Sequence, residues 1–500
     1  MNKPKYGLLL KNTLWGSGSF VFISLFSFLL LPYIIKKLSI EGYGIYILIT
    51  SLVGFYGILD LGLGSALIKY VAELHEKKDF ERLNIFINST VIFQGIIGLL
   101  SSIAIIFYSK NILHLLNVSK ANLTEATYAL NLCALGFFFT FIGGAYRSVL
   151  QGLQLYKYTS LMDTLVNLAL NIFVALILFM GYGLIGSIII NVLVAFITFT
   201  GYYILVKNNI PSYRVNLFIN IKVLKDIIHF SFYIFLSKIS SIFSNYVVRF
   251  VISFFLGPAA VTYYTVPSKL VGAVGGISSS GLSAIFPFSS QLSASNNHEE
   301  IKNLFLKSSR IFIAIVFPVS LFISLFSMQI LTVWMGSEFA SQTRLVLSVI
   351  AFSSFLGGLS AIPNLIILGQ GNSRLIGLFS FITIVLYIIF LPLLTKFFGL
   401  VGTSLALLIA TVGVIYFVIK MTTQFNNIKL FEYYNAVFRP HIGIFIGAII
   451  LYPFIIYMKN QLPIIILAIG FLLMGAHYLY LIKLKVIPFK IIYNKLLQKA

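Results

Sequence analysis

Long runs of apolar residues alternate with short polar segments along nearly the whole chain. The runs are about 20–26 residues long, the length that a helix needs to cross a hydrocarbon core of about 30 Å. A β-barrel would instead show segments of about ten residues with alternating polarity. We therefore predict an all-α polytopic membrane protein with about 14 transmembrane helices. The predicted spans lie near 12–35, 43–68, 84–108, 126–150, 160–180, 184–206, 227–255, 259–288, 308–334, 343–368, 375–395, 400–420, 440–457 and 463–482.

Polar signals between the runs repeat at a nearly constant separation. Four matches occur in the same order in both halves, 216 to 219 residues apart: 76–86 with 296–305, Leu38 with Leu256, Gly152 with Gly369, and Gly183 and Gly186 with Gly399 and Gly402. Each half holds six predicted spans, an even number, so the two halves have the same orientation. This is a parallel repeat with pseudo-two-fold symmetry, and substrate is expected to pass between its halves.

The repeat divides the chain into five predicted segments. They are an N-terminal six-helix bundle at 1–206, a cytoplasmic linker at 207–226, a C-terminal six-helix bundle at 227–420, two additional transmembrane helices at 421–482, and a basic cytoplasmic tail at 483–500.

Composition agrees with a membrane protein, because only 10% of the residues are charged against about 25% in soluble domains. The net charge of +22 does not indicate nucleic-acid binding, since Lys and Arg are spread over short loops. Most of them lie on the two tails and the even-numbered loops, which predicts that both termini are cytoplasmic. The pair Lys36 and Lys37 departs from this asymmetry.

The seventh span carries a polar stripe. Ser231, Lys238, Asn245 and Arg249, with Ser241 nearby, fall on one side of a 3.6-residue helix. Cations within a membrane helix are expected to face the bundle interior or a water-filled cavity. The stripe therefore predicts a cationic lumen for an anionic substrate. The alternative is that Arg249 reaches the outer interface and Lys238 forms a structural pair.

Four further ionisable residues lie in or beside predicted spans. Lys269 follows Pro267 in the eighth span, which predicts a bent helix and a second cation in the lumen. Arg147, at the end of the fourth span, is a candidate for substrate binding or for positive-inside anchoring. Asp60 is the deepest acid and is predicted to pair with a lumen cation, to couple transport to an ion, or to mark a helix interruption. Asp163 lies in the first turn of the fifth span.

Several enzyme classes lack their motifs in this sequence. No group of His, Cys, Asp and Glu has the spacing of metal ligands, and no P-loop or dinucleotide motif occurs. The predicted outer loops hold only the unclustered acids Glu41, Glu125 and Glu338. A membrane glycosyltransferase or polymerase is therefore disfavoured. We predict a transporter, not an enzyme, with no cofactor and no metal.

Residues 38–73, LSIEGYGIYILITSLVGFYGILDLGLGSALIKYVAE, resemble the N-terminal signature of polysaccharide-biosynthesis flippases, the Wzx-type O-antigen translocases. The matching positions are Leu38, Glu41, Tyr43, Gly44, Tyr46, Asp60, Gly62, Tyr70 and Ala72, with Lys69 where the family commonly has arginine. RSVLQGLQLY (147–156) is similar to the family segment after the fourth span.

This resemblance implies the multidrug/oligosaccharidyl-lipid/polysaccharide exporter superfamily, with two six-helix bundles around a central cavity. It implies an undecaprenyl-diphosphate-linked oligosaccharide as substrate, moved across the bacterial inner membrane, with protons or Na⁺ as coupling ions. Membrane lipids and other polysaccharide-assembly membrane proteins are the further expected partners, and nucleic acid is not. The alternatives are a lipid II flippase and a multidrug exporter of the same superfamily. The exporter would favour acidic lumen residues.

Overall fold

A computed structural model describes residues 23–54, 59–60, 62–216, 218–221, 223, 243–282, 285–295, 297–447, 463–484 and 486. Within these ranges the chain consists of helices and their connections, without β-strands. It forms two compact units, one reaching to Thr262 and the other beginning at Tyr263.

Most helices of the first unit follow one another with short connections, as expected for antiparallel neighbours. They are α1 (Ile23–Leu38), α2 (Ile40–Gly54), α3 (Leu63–Glu76), α4 (Phe80–Leu115), α5 (Lys120–Gly152), α6 (Tyr156–Phe179), α7 (Gly183–Asn209) and α8 (Val248–Leu256). A π-helical turn, Phe243–Val247, precedes α8.

The second unit continues the same alternation of long helices and tight turns. Its helices are α9 (Pro258–Leu282), which begins in the first unit, α10 (Ile285–Ala294), α11 (His298–Leu325), α12 (Ser327–Met335), α13 (Ser337–Leu359), α14 (Ala361–Gly369), α15 (Ser373–Phe425), α16 (Leu430–Val437) and α17 (Pro463–Lys483). Gly399, at φ 59° and ψ −140°, divides α15 into two helices joined by a kink.

The described residues contain eight helices that are long and apolar enough to cross a membrane, and α1 with α2, bent by 113°, would make a ninth. An all-α polytopic membrane protein is thereby confirmed. The number of fourteen spans and the five segment boundaries stay predictions.

The backbone carries the duplication that the sequence predicts. Left-handed residues, which break or cap helices, occur at equivalent positions 216 to 219 residues apart: Ser39 and Gly257, Asn117 and Gly336, Gln154 and Gly371, and Gly183 and Gly399. Each pair ends one helix or begins the next at the same step of both halves. The two halves therefore repeat the same order of helices and turns.

Two equivalent glycines permit a close helix contact in each half. A Cβ on Gly152 of α5 would lie 2.7 Å from the Val71 Cβ of α3. A Cβ on Gly369 of α14 would lie 2.6 Å from the Ser289 Cβ of α10. Any larger residue would push these helices apart, because small residues are what permit close approach in a membrane.

Candidate functional site

The second predicted span is not one continuous helix, which corrects the sequence-based expectation for 43–68. Leu59 is helical, Asp60 and Gly62 lie in a turn, and α3 begins at Leu63, after Gly62 in the left-handed conformation at φ 79°. Asp60 lies in this break and is only 5% exposed. Its carboxylate accepts a hydrogen bond from the Gly64 backbone N–H at 3.1 Å. The acid therefore satisfies a donor in the first turn of α3, where the helix dipole also favours negative charge.

A second donor reaches Asp60 from α4. The Gln94 Nε2 lies 2.6 Å from Asp60 Oδ1, and Gln94 is fully buried. Gly64 lets α5 approach the break, because a Cβ at this position would lie 2.8 Å from Ser148 Oγ. The break is thus held from α4 and α5, two neighbouring helices of the first half.

Arg147 is joined to Asp163 across the turn between α5 and α6. Arg147 Nη2 donates to Asp163 Oδ2 at 2.6 Å and Nε donates to Oδ1 at 3.3 Å. Tyr202 of α7 donates a third hydrogen bond to Asp163 Oδ1 at 2.8 Å. Because the planar guanidinium matches a carboxylate at two points, this pair ties three helices together and neutralises the Arg147 charge locally.

The same ion pair lines a cavity of about 350 Å³ inside the first unit. Its walls are mainly apolar, and its polar lining residues are Thr50, Thr140, Arg147, Asp163, Asn191, Thr198 and Tyr202. Asn191 Nδ2 donates to the Tyr46 hydroxyl at 3.0 Å. The cavity joins α2 to α5, α6 and α7.

Arg249 reaches from α8 to α2. Its Nη1 donates to Ser51 Oγ at 2.7 Å, and its guanidinium carbon lies 5.7 Å from the centre of the Tyr246 ring. The Tyr246 ring occupies the space above Gly54, where a Cβ would overlap it. Arg249 is therefore half-buried at a helix contact, with the Ser51 hydroxyl as one hydrogen-bond partner and the Tyr246 ring beside it.

The other predicted lumen residues differ in their surroundings. Lys269 is exposed, and α9 continues as helix through Pro267. Asn245 is exposed in the π-helical turn before α8. Ser231, Lys238 and Ser241 lie outside the described residues. Arg249 and Asn245 thus share one short segment, whereas the polar stripe as a whole stays a prediction.

A set of contacts fastens the first residues after the seventh span to the first half. The hydrogen bonds run from Thr262 Oγ1 to the Ile40 carbonyl at 2.6 Å, from Ser253 Oγ to the Leu116 carbonyl at 2.6 Å, and from Asn117 Nδ2 to the Phe254 carbonyl at 2.5 Å. Gly44 lies so close to Pro258 that a Cβ would overlap the proline carbonyl. These residues are termed the cross-half seam. They lie on the side that Lys and Arg asymmetry predicts to be extracytoplasmic.

Sequence reasoning missed the partners of the predicted site residues. Asp163 was visible as an acid at the start of a span, and its position 16 residues after Arg147, across one predicted turn, was the available signal. Gln94 and Ser51 are single polar residues within apolar runs, and only the folded chain brings them to Asp60 and Arg249.

Two solved structures share the fold of this chain. The chain superposes with a TM-score of 0.72 on a lipid II flippase, MurJ, in an inward closed conformation, at 17% identity over 98% of this chain and 99% of that one. An inward-facing multidrug resistance MATE family transporter of the MOP superfamily gives a TM-score of 0.64 at 15% identity, over 81% of this chain and 99% of that one. The chain therefore shares its fold with these two proteins.

The sequence identifies the family within this fold. Residues 9–293, more than half of the chain, match the family described as polysaccharide biosynthesis protein, and the chain belongs to it. It is also 24% identical over 398 residues to a Shigella flexneri protein that carries the name of an O-antigen transporter, covering 80% of this chain and 94% of that one.

Proposed function

We propose that this protein is a flippase for undecaprenyl-diphosphate-linked oligosaccharides. It would move an O-antigen, capsule or exopolysaccharide repeat unit across the inner membrane of a bacterium by alternating access, driven by a proton or Na⁺ gradient. Membership of the polysaccharide biosynthesis family is the observation that carries the proposal. The MOP-superfamily fold and the similarity to a protein named as an O-antigen transporter support it.

Arg249 is the residue that we assign to the diphosphate. A guanidinium presents several N–H donors in a plane, a geometry that matches phosphate oxygens. Arg249 is also half-buried at the contact between α8 and α2, where its Nη1 donates to Ser51. Lys238 and Lys269 are proposed as further contacts to the anionic part of the substrate.

Arg147 and Asp60 receive supporting roles in this proposal. Arg147 donates two hydrogen bonds to Asp163, so we assign it to the packing of α5, α6 and α7 rather than to substrate binding. Asp60 accepts hydrogen bonds from Gly64 and Gln94 and lies at the N-terminal end of α3. Because these contacts connect α3 to α4 at the helix break, Asp60 is assigned to holding the break.

The cross-half seam provides the closure that alternating access requires. Its contacts would have to open for release on the far side of the membrane and close again for loading. Side chains of this seam bond mainly to backbone carbonyls, and such small sets of neutral hydrogen bonds cost little to exchange for water.

The direct test is deletion of the gene in its native host. We expect loss of the surface polysaccharide and accumulation of its lipid-linked repeat unit, both restored by the wild-type gene on a plasmid. The Arg249→Met protein should insert into the membrane normally, but its gene should restore neither the surface polysaccharide nor the normal level of the lipid-linked unit. Normal surface glycan without trapped intermediates, in a host with no second flippase, would refute the proposal.

A lipid II flippase is the second candidate, because that structure superposes over 98% of this chain. The two candidates differ in the intermediate that accumulates. Expression of this gene in a strain depleted of its lipid II flippase should leave growth arrested if the substrate is a polysaccharide repeat unit. Rescue of growth would favour lipid II.

A further inference from the structure

The polypeptide that leaves the sixth helix of the first half folds back across the start of α4. Asn84 Nδ2 donates to the Ser212 carbonyl and Asn88 Nδ2 to the Arg214 carbonyl, both at 2.9 Å. The Asn88 Oδ1 also accepts from the Tyr213 hydroxyl and from the Asn216 N–H, both at 3.2 Å. Residues 210–216 are termed the first strap. One asparagine side chain therefore holds this segment at three points.

The Tyr213 ring anchors the first strap in the core of its half. It is only 4% exposed, and its hydroxyl lies 3.2 Å from the Tyr146 hydroxyl of α5. Ile210 is buried in the same apolar cluster, together with Phe86 of α4. The strap thus connects the end of α7 to both α4 and α5 through apolar packing as well as hydrogen bonds.

The second half has a matching segment after its own sixth helix. Residues 426–437, termed the second strap, lie across the start of α11. The Lys302 Nζ lies 2.8 Å from Glu432 Oε1. The Tyr433 ring stacks on Phe305, with ring centres 5.1 Å apart and planes at 12°. Tyr433 and Ile428 are both buried in the core of that half.

The two straps are equivalent in sequence as well as in position. Asn208, Asn209 and Ile210 correspond to Asn426, Asn427 and Ile428 at a separation of 218 residues, and Tyr213 corresponds to Tyr433 at 220. Phe86 and Phe305, which are buried in the same apolar clusters as the two tyrosines, are one of the repeat matches. The polar contacts differ, with asparagines in one half and an ion pair in the other. Both halves nevertheless retain the buried isoleucine and tyrosine.

We propose that the two straps are a duplicated fastening that stays closed while substrate is moved. Each strap joins the last helix of its six-helix half to the third, so that the cytoplasmic ends of the half move as one body. The movement of transport is then confined to the chain outside the straps and to contacts such as the cross-half seam. This inference rests on the proposed alternating access and adds which contacts do not change.

Paired cysteines test the proposal, with Cys133, the single cysteine of the chain, replaced by Ser. The pairs Asn84→Cys with Ser212→Cys and Lys302→Cys with Glu432→Cys place thiols at the two straps. A short membrane-permeant bis-maleimide should cross-link each pair in cells. The rate of polysaccharide export should remain within about twofold of the rate in the same cells without reagent, which corresponds to a negligible change in the free-energy barrier to transport. Each single-cysteine variant treated with the reagent is the matched control.

A third pair, Asn117→Cys with Phe254→Cys, bridges the cross-half seam. Its cross-linking should abolish export, because this contact has to open. Loss of export on cross-linking either strap, or absence of cross-linking at both, would overturn the fastening proposal. Export that survives cross-linking of the seam would instead count against alternating access at this contact, whatever the straps do. The two failures are therefore distinguishable.

Discussion

The carboxylate of Asp163 accepts both Nε and Nη2 of Arg147, at 3.3 and 2.6 Å, while Tyr202 donates to the same carboxylate at 2.8 Å. Three helices of one half therefore meet at a single acid. The side chains of the pair are 41% and 42% exposed, so they face the cavity and the packing interface at once. Arg147, which its sequence position makes a candidate for substrate binding, is one half of an ion pair.

Removing one partner of this pair should cost more than removing both. Arg147→Gln should lower the free energy of unfolding by about 2 kcal/mol, because it leaves the partly buried Asp163 without its counter-charge. The double variant Arg147→Gln/Asp163→Asn should recover most of that loss. Thermal unfolding of the four purified proteins in one detergent gives the double-mutant cycle.

Export assays separate the structural role of Arg147 from a role in binding. The double variant should export polysaccharide at a near-normal rate, since it retains the packing and removes the unpaired charge. Tyr202→Phe, which removes a hydrogen bond without changing charge, is the matched control. A stable double variant that does not export polysaccharide would indicate that Arg147 takes part in substrate binding.

Asp60 should be replaceable by its amide but not by alanine. Asp60→Asn retains an oxygen that accepts from the Gly64 N–H, whereas Asp60→Ala leaves the donors of Gly64 and Gln94 unsatisfied. Loss of a helix-capping acceptor costs about 1–2 kcal/mol, so Asp60→Ala should unfold at lower temperature than Asp60→Asn. Circular dichroism during heating makes the comparison.

Ion dependence of export decides whether Asp60 has a second role. If Asp60 only holds the break, Asp60→Asn exports with the same response to uncouplers as the wild type. A well-folded Asp60→Asn that no longer exports would identify the acid as the coupling group. Gln94→Ala is the matched control, because it removes a donor to Asp60 and leaves the carboxyl in place.

The architecture was predictable because apolar length and small-residue spacing are local properties of the sequence. Gly152 and Gly369 stand at equivalent positions of the repeat, and both prove to be the points where a Cβ would strike a neighbouring helix. The same physical demand, close helix approach, preserved the same residue in both halves. The residues with positive φ follow the repeat for a different reason, because each ends or begins a helix at the same step of both halves.

The candidate site was less predictable because its contacts join distant parts of the chain. A carboxylate in an apolar run indicates either a break or a partner, and the sequence around Asp60 cannot distinguish them. The folded chain shows both, a break at Gly62 and a partner in the Gln94 amide, 34 residues away. The Arg249 contact spans 198 residues, far beyond any local periodicity.

The second strap should weaken at alkaline pH. Burial raises the pKa of Tyr433 from 10.0 to about 12. Because the folded-state pKa is the higher one, the stabilisation is fully present below pH 10 and is lost as the pH rises towards 12. Tyr433→Phe cannot ionise and should show a smaller fall in melting temperature between pH 9 and 11. Equal falls for both proteins would contradict this prediction.

Arg249 should be needed for export and not for insertion. Arg249→Met should reduce export about tenfold or more, the loss expected from one charge-assisted hydrogen bond to phosphate, while Arg249→Lys retains part of it. Initial rates of surface polysaccharide appearance, normalised to protein in the membrane, measure the effect. Ser51→Ala removes the described hydrogen-bond partner and is the control. If Ser51→Ala causes the same loss, Arg249 acts by holding α8 to α2.

Gly44 should be the most sensitive position of the cross-half seam. In Gly44→Ala the new methyl group would overlap the Pro258 carbonyl. The closed seam should therefore be destabilised relative to the open one by about 1–3 kcal/mol, and export should fall. Gly42→Ala is matched to it on the same helix, because its methyl group meets only the Ser39 and Leu38 side chains at 3.3 and 3.7 Å. With Cys133 replaced by Ser, a cysteine at Thr262 reports opening through labelling by a membrane-impermeant maleimide added outside the cell. Labelling should rise in Gly44→Ala and remain low in Gly42→Ala, and equal labelling of the two variants would exclude the seam as a barrier to the outside.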